Sequence, residues 1–295
     1  MLIIIIKDLK KICSWFKKHN IKQIKTCLES TGIYSLDVAN YLYNQGHRVS
    51  IINPACINAF AKSKLSRHKT DKVDSYIIAE YASKYNLRTY QPADPLMSEL
   101  RALYNCRINL EKQNRQVQNF LESKNHLPKD VCKIYNKLSK NLINEIDKIQ
   151  QKIDKLISSS NQLSQDIENM QSIPGIGKKT AITILAEVPN IRDFSSAREF
   201  AAFTGLTPKH YSSGTSINKK SKISKIGSSK LRHALYFPAM STMQSSPDMI
   251  KFTQKLKSKG KNGKVIVIAI MRKLLHLVFG VLKNNSPFMP NFAID

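Results

Sequence analysis

The sequence predicts an α/β N-terminal layer, a long helical linker and a mainly helical C-terminal region, and three observations carry that prediction. Strand-like and helix-like patterns alternate over residues 1 to about 92; Leu and Ile recur at helical spacing between 97 and 170; a Pro-Gly-Ile-Gly turn then opens a further series of helices. The expected domains are 1–92, 93–170 and 171–295. With 295 residues, 42% of them hydrophobic, the chain is long enough to bury more than one core.

In the first region, Lys7-Asp8-Leu9-Lys10-Lys11 reads as the start of a helix ending near His19. Ile24–Leu28 and Arg48–Ile52 read as short strands, with a helix from Tyr34 to Asn44 between them. Alternation of this kind builds a sheet whose strands are at least partly parallel. Asn53-Pro54 starts a short helix through Ala61, because proline fits the first helical position. A further helix runs from about Thr70 to Lys84, and Gln91-Pro92-Ala93-Asp94-Pro95 is a turn-rich boundary.

Beyond it, Leu142, Ile143, Ile146, Ile149, Ile153 and Leu156 form an apolar stripe, expected to pack as an antiparallel helix pair or coiled coil. Leu127-Pro128-Lys129 marks the break between the helices. The third region has a short amphipathic helix at Phe194–Phe203 and a turn at Gly205-Leu206-Thr207-Pro208. A small-residue loop follows at His210–Ser216, then the basic stretch Lys219–Lys225. Val265–Leu282 is interrupted by Arg272, Lys273 and His276 and reads as a buried amphipathic helix, so no membrane span is expected. Met1–Ile6 is apolar but too short for a signal sequence.

Charge narrows the function. There are 47 Lys and Arg against 21 Asp and Glu, a net charge of +26. Such a field favours a polyanion over a small-molecule substrate, and nucleic acid is the first candidate. A membrane-surface protein would concentrate its charge on one amphipathic helix, whereas here it runs along the whole chain. The five cysteines are scattered with no C-x-x-C pair, which argues against a disulfide framework or zinc site and suits a reducing cytoplasm.

In so basic a chain the acidic residues that cluster stand out. Asp71 and Asp74 are three apart, so they share a helix face, and Glu29 closes an apolar strand. Three such carboxylates can form a site for hard divalent cations, Mg²⁺ or Mn²⁺, the usual machinery of phosphodiester chemistry. The alternative is that Thr70 caps the helix and Asp71 is a first-turn acid favoured by the helix dipole. In Pro174-Gly175-Ile176-Gly177-Lys178-Lys179, the glycines can let backbone N–H groups approach a phosphate at a helix N-terminus, as in helix-hairpin-helix modules. The spacing is not that of a P-loop. Lys219, Lys220, Lys222 and Lys225 flank the Ser-Gly loop and are expected to attract phosphate, and nothing local marks one of its serines as a nucleophile.

Taken in order, L-E-S-T-G-I-Y, V-S-I-I-N-P, H-K-T-D-K-V-D-S-Y-I-I-A, a helical linker, S-I-P-G-I-G-K-K-T-A, F-T-G-L-T-P-K-H-Y-S-S-G and I-S-K-I-G-S-S-K-L-R cover nearly the whole chain. This series resembles the insertion-sequence transposases that pair a RuvC-like (RNase H-like) DEDD domain with a C-terminal serine-bearing domain, relatives of the pilin-gene invertases. The resemblance implies metal-binding carboxylates at Glu29, Asp71 and Asp74, and a catalytic serine at Ser213 with Ser212 as second choice. It also implies DNA contacts from the glycine-lysine hairpin and from the basic segment through Arg232, and recombination through a serine–DNA linkage assisted by Mg²⁺ or Mn²⁺. Some members use a structured guide RNA, and recombination of two duplexes implies a homo-oligomer, with the 97–170 helices as its interface.

One departure is expected to matter. The family's first aspartate lies on the first RuvC-like strand, well upstream of the Glu, whereas Asp8 is too close to Glu29 to fill that place. The chain is therefore expected to begin partway through the RuvC-like domain, without its opening hairpin and fourth carboxylate. The other readings are a truncated, inactive nucleic-acid-binding remnant and a metal-dependent nuclease or junction resolvase in which Ser213 is incidental.

Overall fold

The computed structural model describes residues 6–30, 33–65, 70–92, 94–213, 217–224 and 226–290. The chain divides into two compact units, Met1–Pro92 and Ala93–Asp295.

The first unit runs α1 (Ile6–Lys18), β1 (Lys25–Glu29), α2 (Ile33–Asn44), β2 (Arg48–Ile52), α3 (Pro54–Ser63) and α4 (Asp71–Lys84). β1 and β2 pair in parallel, Lys25 opposite Arg48 and Glu29 opposite Ile52. Because successive strand residues face opposite sides, this small sheet has two cores. Leu28, Val49 and Ile51 lie with Leu9, Cys13, Val38 and Leu42 of α1 and α2. Cys27 and Ile52 lie with Ile57, Val73 and Ile77 of α3 and α4. Pro54 opens α3 behind Asn53, whose side chain accepts a hydrogen bond from the Ala55 amide.

The second unit begins with α5 (Pro95–Glu122) and α6 (Lys129–Ser158). The pair is antiparallel: Arg107 donates to Gln150, while Gln118 reaches Ser139 at 2.6 Å and Ser139 donates to Asn114 at 2.8 Å. Leu100, Tyr104, Ile153 and Ile157 join the core of the helices that follow. Those are α7 (Asn161–Gln171), α8 (Lys178–Glu187), α9 (Ala197–Phe203), α10 (Ser229–Ser245), α11 (Pro247–Ser258) and α12 (Gly263–Lys283). α8 buries every residue from Ala181 to Ala186, so it is a central helix and not an amphipathic one. By length and composition α12 alone among the described residues could cross a membrane, yet Ile266, Ile270, Leu274 and Val278 are buried against α7, α9 and α10.

Between α9 and α10 the structure departs from the expected loop at 210–216. β3 (Pro208–Ser213) and β4 (Ile217–Ile223) form an antiparallel hairpin, with an irregularity between Lys209 and Tyr211. Sequence periodicity gives no sign of it, because its residues lack the apolar alternation that marks a half-buried strand.

Candidate active site and nucleic-acid interface

Glu29 ends β1 and is in step with Cys27, the residue packed beneath α4. It therefore belongs to the face of the sheet that α4 covers. The Lys25 ammonium donates to the Ala82 carbonyl at 3.0 Å, tying the start of β1 to the far end of α4, while Val73 lies in the same core as Ile52, the register partner of Glu29. The helix and strand thus run in opposite directions. From Lys25 to Glu29 the strand advances about 13 Å. From Ala82 back to Asp74 the helix covers about 12 Å. By this spacing the first turn of α4, which carries Asp71 and Asp74, lies toward the Glu29 end of β1.

The three carboxylates expected to converge are not gathered into one metal site. Among the described residues, no three His, Cys, Asp or Glu side chains stand close enough to hold a metal ion. Nor, among those residues, does Glu29, Asp71 or Asp74 have a cationic partner. Thr70 caps α4, its hydroxyl accepting from the Val73 amide at 3.3 Å, as the capping alternative requires. The chemistry of the donor set fits a hard divalent ion: three carboxylates on two packed elements.

Ser213 is the last residue of β3, opposite Ile217; Ser212 is opposite Asn218. Lys219, Lys220 and Lys222 lie on β4, and Lys225 falls outside the described residues. The foot of the hairpin is firmly built. The Ser224 amide donates to Thr207 at 2.9 Å, and the Arg232 guanidinium donates to the carbonyls of Thr204 at 2.9 Å and Gly227 at 3.1 Å. Gly205 (φ +74°) and Gly227 (φ +139°) supply left-handed backbone there. Arg232 thus has a structural task.

The glycine-lysine hairpin is also occupied within the fold. Gly175 has φ +85°, and a methyl group there would lie 2.0 Å from the Thr242 hydroxyl and 2.8 Å from the Pro238 carbonyl. Its lack of a side chain serves the approach of α10, whose Thr242 donates to Pro174 at 2.9 Å. Gly177, the N-cap of α8, has open space around it and offers no side-chain cap. Lys178 pairs with Asp154 at 2.8 Å and Lys179 with Glu111 at 3.3 Å. Burial alone would raise the Asp154 pKa, but hydrogen bonds from Lys178 and Gln150 outweigh it and hold the carboxyl below its usual range.

Cations without an acidic partner lie elsewhere. Among the described residues, Lys255, Lys257, Lys259, Lys261 and Lys264 have none, and they crowd the α11–α12 turn around Gly260 and Gly263, both open to solvent. Sequence reasoning passed over this run, although K-L-K-S-K-G-K-N-G-K is among the densest groups of lysines in the chain.

Known proteins agree with this architecture. Residues 167–254 match the model described as Transposase IS116/IS110/IS902 family, residues 7–127 match a DEDD-type transposase model of the same group, and 136–190 match a SAM-like helix-hairpin-helix tandem. The pilin gene-inverting protein of Moraxella bovis is 36% identical over 282 residues, covering 93% of this chain and 85% of that protein. The chain belongs to the IS116/IS110/IS902 transposase family. The transposase also resembles those of insertion sequence IS1328 of Yersinia enterocolitica (24% identical, 85% of this chain and 81% of that protein) and IS1111A of Coxiella burnetii (26%, 81% and 76%). It is an insertion-sequence transposase of the DEDD type, an enzyme of DNA recombination.

Proposed function

We propose that the transposase cuts and rejoins DNA through Ser213, with Glu29, Asp71 and Asp74 holding a divalent metal, Mg²⁺ or Mn²⁺. What supports this reading is the Lys25–Ala82 bond, which ties the far end of α4 to the start of β1 and leaves the turn bearing Asp71 and Asp74 for the Glu29 end. Once bound, such an ion neutralises charge on a phosphodiester. Approach of the carboxylates to one another accompanies binding, the ion offsetting their repulsion.

At Ser213 the hydroxyl oxygen attacks phosphorus. The Oγ–P bond forms, the backbone P–O bond breaks, and the hydroxyl proton passes to the departing oxygen. The exchanged bonds are of one kind, so a free hydroxyl on another strand can reverse the step and rejoin the DNA in a new order. In this reading residues 1–92 act as the RuvC-like domain, 93–170 as the connecting arm and 171–295 as the serine-bearing domain. DNA is met through the open N-terminus of α8 at Gly177 with Lys178 and Lys179 beside it, through Lys219, Lys220, Lys222 and Lys225, and through the lysines of the α11–α12 turn, while Gly175 and Arg232 hold the fold behind these contacts.

Exposed Ile134, Leu138 and Ile143 on α6 support assembly of copies through the arm. A structured guide RNA is compatible with the same charge, and the prokaryotic cytoplasm is the compartment in which scattered free thiols and DNA meet. The test is inversion or excision of a DNA segment flanked by the element's ends. Ser213→Ala abolishes strand transfer and spares DNA binding, whereas Glu29→Gln or Asp74→Asn abolishes metal-dependent activity. If Ser213→Ala still cleaves, the metal-nuclease reading replaces this one.

A further inference from the structure

A cleft of about 750 Å³ opens between α5, α8 and α10, all within the second unit. Its size lies within the roughly 300–1,000 Å³ of small-ligand sites. From α5 it receives Lys112 and Arg115; from α8, Thr180 in the uncapped first turn; from α10, His233 and Phe237. Among the described residues neither Lys112 nor Arg115 has an acidic partner. The one acid in the lining, Glu111, is already engaged by Arg107 at 3.1 Å and Lys179 at 3.3 Å. The cleft is therefore net cationic.

Two features of α10 go further than charge. His233 and Phe237 are four residues apart and so stack on one face of the helix. Phe237 is 68% exposed, a large ring held at the cleft with little covering it. One residue on, Pro238 sits inside the helix and has no N–H, so the Ala234 carbonyl lacks its donor from the following turn. Ala234 also lines the cleft. Cations, an exposed ring and a spare carbonyl acceptor thus converge on one space.

We infer that this cleft holds an unpaired nucleotide of a DNA strand, its phosphate met by Lys112 and Arg115 and its base stacked on Phe237. An aromatic platform between cations is how proteins hold single strands, since every base has a face to stack and every linkage a charge. A duplex has the same charge but keeps its bases stacked on each other, so it gains nothing from Phe237. The inference rests on the reading of the chain as a DNA recombinase, whose strand exchange exposes unpaired nucleotides.

The experiment is fluorescence anisotropy of the full chain with a labelled oligothymidylate, a blunt duplex, and an oligouridylate. Phe237→Ala weakens oligothymidylate binding by about fivefold or more and leaves duplex binding within about twofold. Phe237→Trp restores the affinity. Lys112→Ser with Arg115→Ser weakens both and lowers the single-strand salt slope by roughly 1.4. Because Phe237 is exposed, the Ala variant keeps its thermal unfolding midpoint. Equal losses on single strand and duplex, no loss on either, or tighter binding of oligouridylate than oligothymidylate overturns the assignment while leaving the recombinase reading intact. A wild-type chain that binds none of the three overturns both.

Discussion

Replacing Gly175 with Ala separates two roles for the Pro-Gly-Ile-Gly hairpin. At φ +85° an alanine is strained whatever surrounds it, at a cost of about 1–2 kcal/mol. Its methyl would also fall 2.0 Å from Thr242 Oγ1 and 2.8 Å from the Pro238 carbonyl. The single Thr242 hydroxyl proton is shared between the Pro174 and Pro238 carbonyls, so rotating the side chain away costs that bond, worth about 1 kcal/mol. The remaining contact, with the Pro238 backbone, is relieved only by moving α10, and overpacking of this kind costs about 1–3 kcal/mol. The expected loss is therefore about 3–6 kcal/mol, or roughly 6–24 °C in the unfolding midpoint of a unit this size. Chemical and thermal unfolding followed by circular dichroism measure it. Thr242→Ala made in the Gly175→Ala background should return part of the loss, giving a non-additive cycle. Unfolding unchanged to within about 1 kcal/mol, with DNA affinity lost, would refute the packing role and return the glycine to the phosphate.

Two further outcomes are expected. His276 in α12 is held below its usual pKa by burial, then by the Arg272 and Arg198 charges, so its neutral form is favoured in the fold. Its stability contribution is present above pH 6.5 and is lost as pH falls from there through the folded value, because the unfolded chain takes up the proton first; His276→Gln should flatten that limb of a pH–unfolding-midpoint curve. Replacing Lys255, Lys257, Lys259, Lys261 and Lys264 with Ser should weaken duplex binding and lower the slope of log affinity against log salt by about 0.9 for each lysine that meets a phosphate; an unchanged slope in a salt titration would remove the α11–α12 turn from the interface.

How much the sequence discloses depends on how each residue is used. The two strands of the parallel sheet, the helices on either side and the antiparallel α5–α6 pair follow from apolar spacing and from Pro54, Pro95 and Pro128 at helix starts. The β3–β4 hairpin does not, because a polar ribbon has no hydrophobic period to detect. Nor does the work of Gly175, whose motif suits a phosphate and a tightly approaching helix equally well until Thr242, 67 positions later, is seen against it. Lys178 and Lys179 look free in sequence, since the acids that engage them, Asp154 and Glu111, lie on α6 and α5. For the carboxylates, i, i+3 spacing joins Asp71 to Asp74, but only the Lys25–Ala82 bond tells which end of the helix Glu29 meets.

α12 has a consequence for how the protein is made. A 21-residue segment of this hydropathy, met alone, satisfies the length and composition of a membrane anchor. Its partners α7, α9, α10 and α11 all precede it in the chain, so during synthesis they leave the ribosome first. The groove that will cover it can form before it emerges, which shortens its time in water. Placing the same helix ahead of α7 would leave the buried stripe from Ile266 to Leu282 exposed during most of translation, open to insertion or aggregation. Arg272 and Lys273 within the helix disfavour a membrane-spanning state further, since each charge at the bilayer centre costs about 2.5–3.5 kcal/mol on insertion scales, and His276 adds a polar ring. Chain order and three polar residues together keep the most apolar part of this recombinase inside it.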